Sequence, residues 1–322
     1  MIRRYAACAF AVCAVLGAPA ARAADWPQRP VNLVVPFPPG GPTDLVARVL
    51  ARQLSVQTGQ SFVVENKGGA NGNIGMQYVA AAQPDGYTVL YNTSSIALSP
   101  NLYRKLPFDP ARDFEAVSST AVIPLVLLVH PSVPAQDLAG FVAYARKQPG
   151  KLSYASASTG NVTHLGAVLL LQSVGVQAVH VPYRGSAPAM TDLVGGQVQF
   201  MTNTLNDSLA FIRDGKLRAL AVTSARRSAQ LPEVPTVAET VAPGFEMGAW
   251  QGVVVPKGTP PAIVQKLNDE IRKALRSPEM QQQLAAQGAQ ALGSTPQEYA
   301  RYIQDETRRW GEVIEAAQVK LD

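Results

Sequence analysis

The stretch VNLVVPFPPGGPTDLVARVLARQL, Val31 to Leu54, constrains what this chain can fold into more than any other. Val31 to Val35 is a short, β-branched, largely apolar run, the pattern of a strand buried on both faces. Residues 36–42 hold four prolines, which remove backbone donors and fix φ, so neither helix nor sheet continues through them. Thr43 can cap the helix that follows, and Asp44 places a negative charge in its first turn. Leu45, Val46, Val49, Leu50 and Leu54 then recur at helical spacing. The unit is strand, stiff loop, helix N-terminus. Gly40 and Gly41 leave main-chain amides open to approach, and such a helix start attracts anions. A loop that only turns a corner in an α/β protein would read the same way.

The same unit recurs. Ser61 to Glu65 reads as a second strand, Asn66 to Gly75 as a glycine-rich loop containing Asn73, and residues 76–82 as a helix. A third strand, Tyr87 to Tyr91, opens into Asn92-Thr93-Ser94-Ser95. Strand-to-helix units in series imply a parallel sheet with these loops on one edge. Phe114 to His130 is then a β-type run too long for one sheet edge and is interrupted by Pro124, as expected of a strand passing between lobes.

A second α/β series follows: a helix over residues 137–148, a strand at Leu152 to Ala155, the polar loop Ser156 to His164, and a helix over 163–173. Strands over 176–181, 197–201 and 217–223 and a helix over 187–194 continue it. Ala249 to Val255 mirrors the first crossing. Ile263, Leu267, Ile271 and Leu275 mark one helix face, and Thr295-Pro296 with Glu298 forms a capping box for a helix reaching about Gln318. Two α/β lobes joined by two crossings form a hinged cleft. Residues 24–121 give the first part of lobe one, 122–249 lobe two, and 250–322 complete lobe one, with hinges near residues 117–124 and 246–252.

The first 23 residues read as an export leader: Arg3 and Arg4, an apolar Ala6 to Leu16, and cleavage after Ala21-Arg22-Ala23, which places the protein in the periplasm. Both cysteines, Cys8 and Cys13, lie there, so the mature chain has no disulfide, thiolate nucleophile or cysteine metal site. The net charge of +5 also shrinks, because losing Arg3, Arg4 and Arg22 leaves 25 basic residues against 23 acids. That balance points to neither nucleic acid nor an anionic membrane surface.

Enzyme motifs are missing. The three histidines have no metal-ligand spacing, and there is no G-x-S-x-G elbow. Gly150-Lys151 and Gly215-Lys216 are each followed by leucine and so form no phosphate loop, and the glycines at 69, 72 and 75 do not fit a dinucleotide fingerprint. A hydrolase built on the serines and threonines beside His164 lacks a positioned acid. No enzyme, cofactor or metal is expected. The informative feature is a second loop, Ser156-Ala157-Ser158-Thr159-Gly160-Asn161-Val162-Thr163-His164, which also follows a strand and opens a helix. One such loop per lobe, facing each other, would clamp a carboxylate between the amides of residues 40–43 and 159–163.

WPQRPVNLVVPFPPGGPTDLVARVLA, GNIGMQYVAAAQPDGYTVL, HVPYRGSAPAMTDLVGGQV, GKLRALAVTSARRSAQLPEVPTVAE and LGSTPQEYARYIQDE resemble, in order and through the whole mature chain, the Bug-type (tripartite tricarboxylate transporter) periplasmic solute-binding proteins. The resemblance implies a type II periplasmic-binding-protein, or Venus flytrap, fold that captures a small carboxylate and delivers it to membrane carrier subunits, acting as a monomer. A sensor ectodomain as partner is the alternative, and a secreted hydrolase the remote one. The family's ligand loops fall here on Phe37, Gly40, Gly41, Pro42, Thr43 and Asp44, with Asn73 and Thr93 beside them. In lobe two they fall on Ser156, Ser158, Thr159, Gly160, Asn161, Thr163 and His164, with Tyr183, Arg184, Gly185 and Ser186 adjacent. Where many members carry an acid in a V-M-F-D-N-L pattern, this chain has Asn203, a neutral donor and acceptor that disfavours an amino-acid ligand. Asp207, one helical turn on, is placed to compensate.

Overall fold

The computed structural model describes residues 26–321; the leader expected over residues 1–23 lies outside them. Val31–Val35 forms strand β1, and its side chains alternate between two cores, as a strand buried on both faces requires. Val31, Leu33 and Val35 pack with helix α1 (Pro42–Thr58), while Val34 packs on the opposite face with Met76 and Leu90. Pro42 occupies N1 of α1 and Gly41 the cap position, two residues earlier than a Thr43 cap would start the helix. The fixed φ of proline suits N1, and no side chain caps this end.

β2 (Phe62–Asn66), α2 (Asn73–Ala80), β3 (Thr88–Thr93) and α3 (Ser95–Leu102) follow, and β2, β1 and β3 are parallel neighbours. β4 (Phe114–Val129) is the crossing strand anticipated from its length. Up to Pro124 it pairs antiparallel with β9 (Gly248–Pro256), and from Leu125 it pairs with β7 (Phe200–Thr204) and, from Val126, with β8 (Arg218–Val222). At the handover Thr223 bridges the partners: its hydroxyl contacts the Leu125 amide at 2.8 Å and donates to the Met247 carbonyl at 2.8 Å.

Between these strands lie α4 (Leu138–Arg146), β5 (Ser153–Ser156), α5 (Val162–Val174), β6 (Val179–Pro182), α6 (Ser186–Val194) and α7 (Leu205–Arg213), with the short α8 (Val237–Thr240) after β8. The backbone ends with α9 (Pro261–Leu275), α10 (Pro278–Ala286), β10 (Gln290–Ala291) and α11 (Pro296–Ala316). The sheet order is β2-β1-β3-β9-β4-β7-β5-β6, with β8 and β10 also on β4. Thr295 and Glu298 make both bonds of the expected capping box. β7 begins three residues later than its apolar run suggests, because its polar end, Thr202-Asn203-Thr204, pairs with β4 and is largely buried. Hydropathy does not mark such residues as strand.

The two halves of the sheet have separate cores on each face, with one exception. Leu98 and Leu102 of α3 and Trp310, Val313 and Ile314 of α11 belong to the same apolar cluster as Leu165, Leu170 and Met247. A third joint therefore supplements the two strand crossings. Gly160 shows how tight it is: a Cβ there would meet Leu102 at 3.0 Å and Leu321 at 2.9 Å.

Candidate functional site

The C-terminal ends of β1, β3, β5 and β7 open on one cavity of about 170 Å³, walled by both halves of the sheet. Helix N-termini surround it: Pro42 and Thr43 of α1, Ser95 of α3, Val162 and Thr163 of α5, Ser186 of α6, and Asp207 in the first turn of α7. Each such end leaves amides without intrahelical partners and a partial positive charge. No Lys, Arg or His among the described residues lines the cavity, so its positive potential comes from helix ends. A void of this size suits a molecule of roughly benzene's bulk or somewhat more.

Of the residues expected from sequence, Phe37, Pro42, Thr43, Thr93, Asn161, Thr163 and Asn203 line this cavity. Asn161 caps α5 by accepting from the Thr163 amide at 3.0 Å, and Thr163 Oγ1 in turn accepts from the Ala157 amide at 3.0 Å. Asn203 is fully buried, its amide paired with the Ser186 hydroxyl at 3.0 Å.

The remainder of that set lies off the cavity wall, and much of it has work elsewhere. The Gly40 amide donates to Asp44 at 2.9 Å, and Asp44 also accepts from Arg48 at 2.9 Å and Asn66 at 2.8 Å. Burial alone would raise the Asp44 carboxyl, but these donors outweigh it and hold it below its ordinary value. The second loop repeats the device, since the Gly160 amide donates to His164 Nδ1 at 3.1 Å, again four residues on. His164 stacks on His180 at 3.8 Å, and His180 bonds Ser156 at 2.7 Å. Burial, reinforced by the His180 charge, pushes His164 down to about 3, and burial pushes His180 down to about 4, so both are neutral supports. Gly41 caps α1 beside the wall. Asn73 accepts from Ser99 at 2.7 Å and ties α2 to α3. Ser158 reaches across to Asn71 at 3.4 Å, Tyr183 donates to Asp192 at 2.7 Å, and Thr159, Arg184 and Gly185 are not among the lining residues.

Sequence reasoning missed what the return strand contributes. Trp250 and Gln251 of β9 line the cavity, and Gln251 is oriented by a 2.8 Å bond from Tyr91. Ser186, placed beside the site by the resemblance, does line it, whereas Ser94, Ser95 and Thr204 were missed as well, though each follows a strand or opens a helix. That position was the available signal. Asp207 is the one charged residue on the wall among the described residues.

Two α/β lobes sharing crossing strands, with a cavity ringed by helix starts between them, have the architecture of the periplasmic type II binding-protein class. The profile of the tripartite tricarboxylate transporter family receptor (TctC) matches residues 46–319, and the chain belongs to that family. It is 39% identical to Protein BugT of Bordetella pertussis over 314 residues, which span 97% of this chain and 96% of BugT. Among solved structures, R. palustris Rpa4515 with adipate is 40% identical, with a TM-score of 0.81 over 91% of this chain and 98% of that one. MatC from Rhodopseudomonas palustris with bound malate is 35% identical, with a TM-score of 0.76 over 90% and 100%.

Proposed function

We propose that this protein captures a small organic carboxylate in the cavity between its two lobes and presents it to the membrane subunits of a tripartite carrier. The observation that carries this reading is the ring of helix N-termini around a cavity without a basic side chain, a chemistry suited to an anion held by amides and hydroxyls. Relatives solved with adipate and with malate support the ligand class. The free first-turn amides of α1 and α5 and the hydroxyls of Thr43, Ser95 and Thr163 hold the carboxylate. The Gly40 and Gly160 amides, already bonded to Asp44 and His164, shape the loops instead. Residues 24–121 with 250–322 form one lobe and 122–249 the other; the leader is cleaved after Ala23, and the mature protein works in the periplasm as a monomer.

Native mass spectrometry of the protein as purified, followed by a thermal-shift panel of carboxylates, sugars and amines, tests this. A ligand at a hundredfold excess over its Kd stabilises by about 2.7 kcal/mol, so binders stand out. A retained acid or a shift confined to carboxylates is expected. Stabilisation by sugars or amines alone would refute the reading. Loss of uptake of that acid on deletion of the gene separates carrier delivery from a sensory role.

A further inference from the structure

We propose that Asp207 sets the charge class of the ligand: the cavity takes a carboxylate that also bears an ammonium group, in preference to a dicarboxylate. This rests on the reading of the cavity as a carboxylate site and narrows it. Asp207 lines the wall from the first turn of α7. No basic side chain among the described residues pairs with it; its contacts are the hydroxyls of Thr204 and Ser186 and the Asn206 amide at 3.3 Å. Burial lifts its carboxyl above the ordinary value, and the Thr204 and Ser186 hydrogen bonds pull it back without cancelling the rise. A carboxyl group on the wall with no cation beside it is short of compensation.

The wall is therefore polarised. The helix end of α7 already has its acid, whereas the starts of α1, α3 and α5 present no carboxylate to the cavity, Asp44 being turned to Arg48 and Asn66. A ligand carboxylate belongs at these open ends. Near Asp207 a second carboxylate meets a like charge, while an ammonium makes a charge-assisted bond to a group already partly shielded from water. Asn203 does not reverse this, since its neutral amide is engaged by Ser186.

Calorimetry on the ligand-free protein decides it, with ω-amino acids of three to six carbons each set against the dicarboxylate of equal carbon number, aspartate against succinate, and butanoate as a plain carboxylate. In the best-fitting pair the amino acid should bind at least about tenfold more tightly to the wild type. Asp207→Asn should bring the pair to parity or invert it, and Asp207→Ser serves if the first variant does not fold. Tighter binding of the dicarboxylates to the wild type, or an unchanged ratio in both variants, overturns the proposal. If plain carboxylates bind but amino acids gain nothing, only the role of Asp207 falls. If no carboxylate binds wild type or variant, the carboxylate reading falls, and this proposal with it.

Discussion

Trp250, one of the residues lining the cavity, donates its indole N–H to Glu306 of the C-terminal helix at 3.0 Å, and Trp310 donates to the same carboxylate oxygen at 2.9 Å. Trp250 stands on the return strand, while Trp310 packs in the cluster that joins α11 to the second half of the sheet. One buried acid thus ties the ligand wall to the third joint between the lobes. Glu306→Leu strands two buried indole donors and should cost about 2–6 kcal/mol, since each unsatisfied group costs about 1–3 kcal/mol. Glu306→Gln keeps an acceptor and should cost less than half of that. Urea unfolding of the two variants checks the order.

Thr43 offers a hydroxyl to the cavity, and its contact with the Gln251 amide is long, at 3.5 Å. Thr43→Val keeps the shape and should leave stability nearly unchanged. A hydrogen bond to a charged group contributes about 1.5–3 kcal/mol, so affinity for the tightest carboxylate should fall about tenfold or more. Calorimetry showing equal affinity in the folded variant would place the carboxylate elsewhere.

Lobe opening is expected about Pro124 and the facing Gly248, where β4 changes partners. The cluster formed by Leu102, Trp310, Ile314 and Leu165 adds a joint that the strand crossings alone do not suggest, so the swing is restrained. Small-angle scattering should show a smaller radius of gyration with ligand than without. Leu102→Ala should cost about 2–5 kcal/mol and widen the ligand-free form. The same radius in all states would mean a rigid cleft.

Acid should weaken the fold through the stacked histidines. His164 at about 3 and His180 at about 4 both lie below the ordinary 6.5, so between these limits the unfolded chain binds more protons than the folded one. Their contribution is complete above about pH 6.5 and is lost as pH falls through about 4 and then 3. Asp207, raised by burial, acts in the opposite direction and blunts the loss. Melting temperatures recorded from pH 7.5 to 4.5 should decline, and His180→Gln should flatten the decline. An unchanged slope would show that the pair is not what titrates.

Local signals were readable wherever a few neighbouring residues decide the outcome. The proline-rich turn after β1, the Thr295-Pro296-Glu298 cap and the change of strand partners at Pro124 all form as their chemistry dictates. Boundaries slipped where polar residues are buried by partners distant in the chain, as at Thr202, whose hydroxyl donates to the Thr163 carbonyl at 2.6 Å. α3, α7, α8 and α10 were not anticipated: α3 carries an internal proline, α8 is only four residues long despite its capping box, α7 follows a strand read three residues too early, and α10 is capped by Ser277 but has a weak apolar stripe.

The sequence by itself determined the repeated strand, loop and helix start and the two series of such units, because φ restriction, capping and periodicity act within a few residues. Only the tertiary structure decided which groups share the cavity. The amides of Gly40 and Gly160 go to Asp44 and His164, and the wall is completed by Gln251 and Trp250 from a strand far along the chain and by the carboxylate of Asp207. Competition among hydrogen-bond partners and the packing of β9 between β3 and β4 settle that allocation, and neither is encoded in any local pattern.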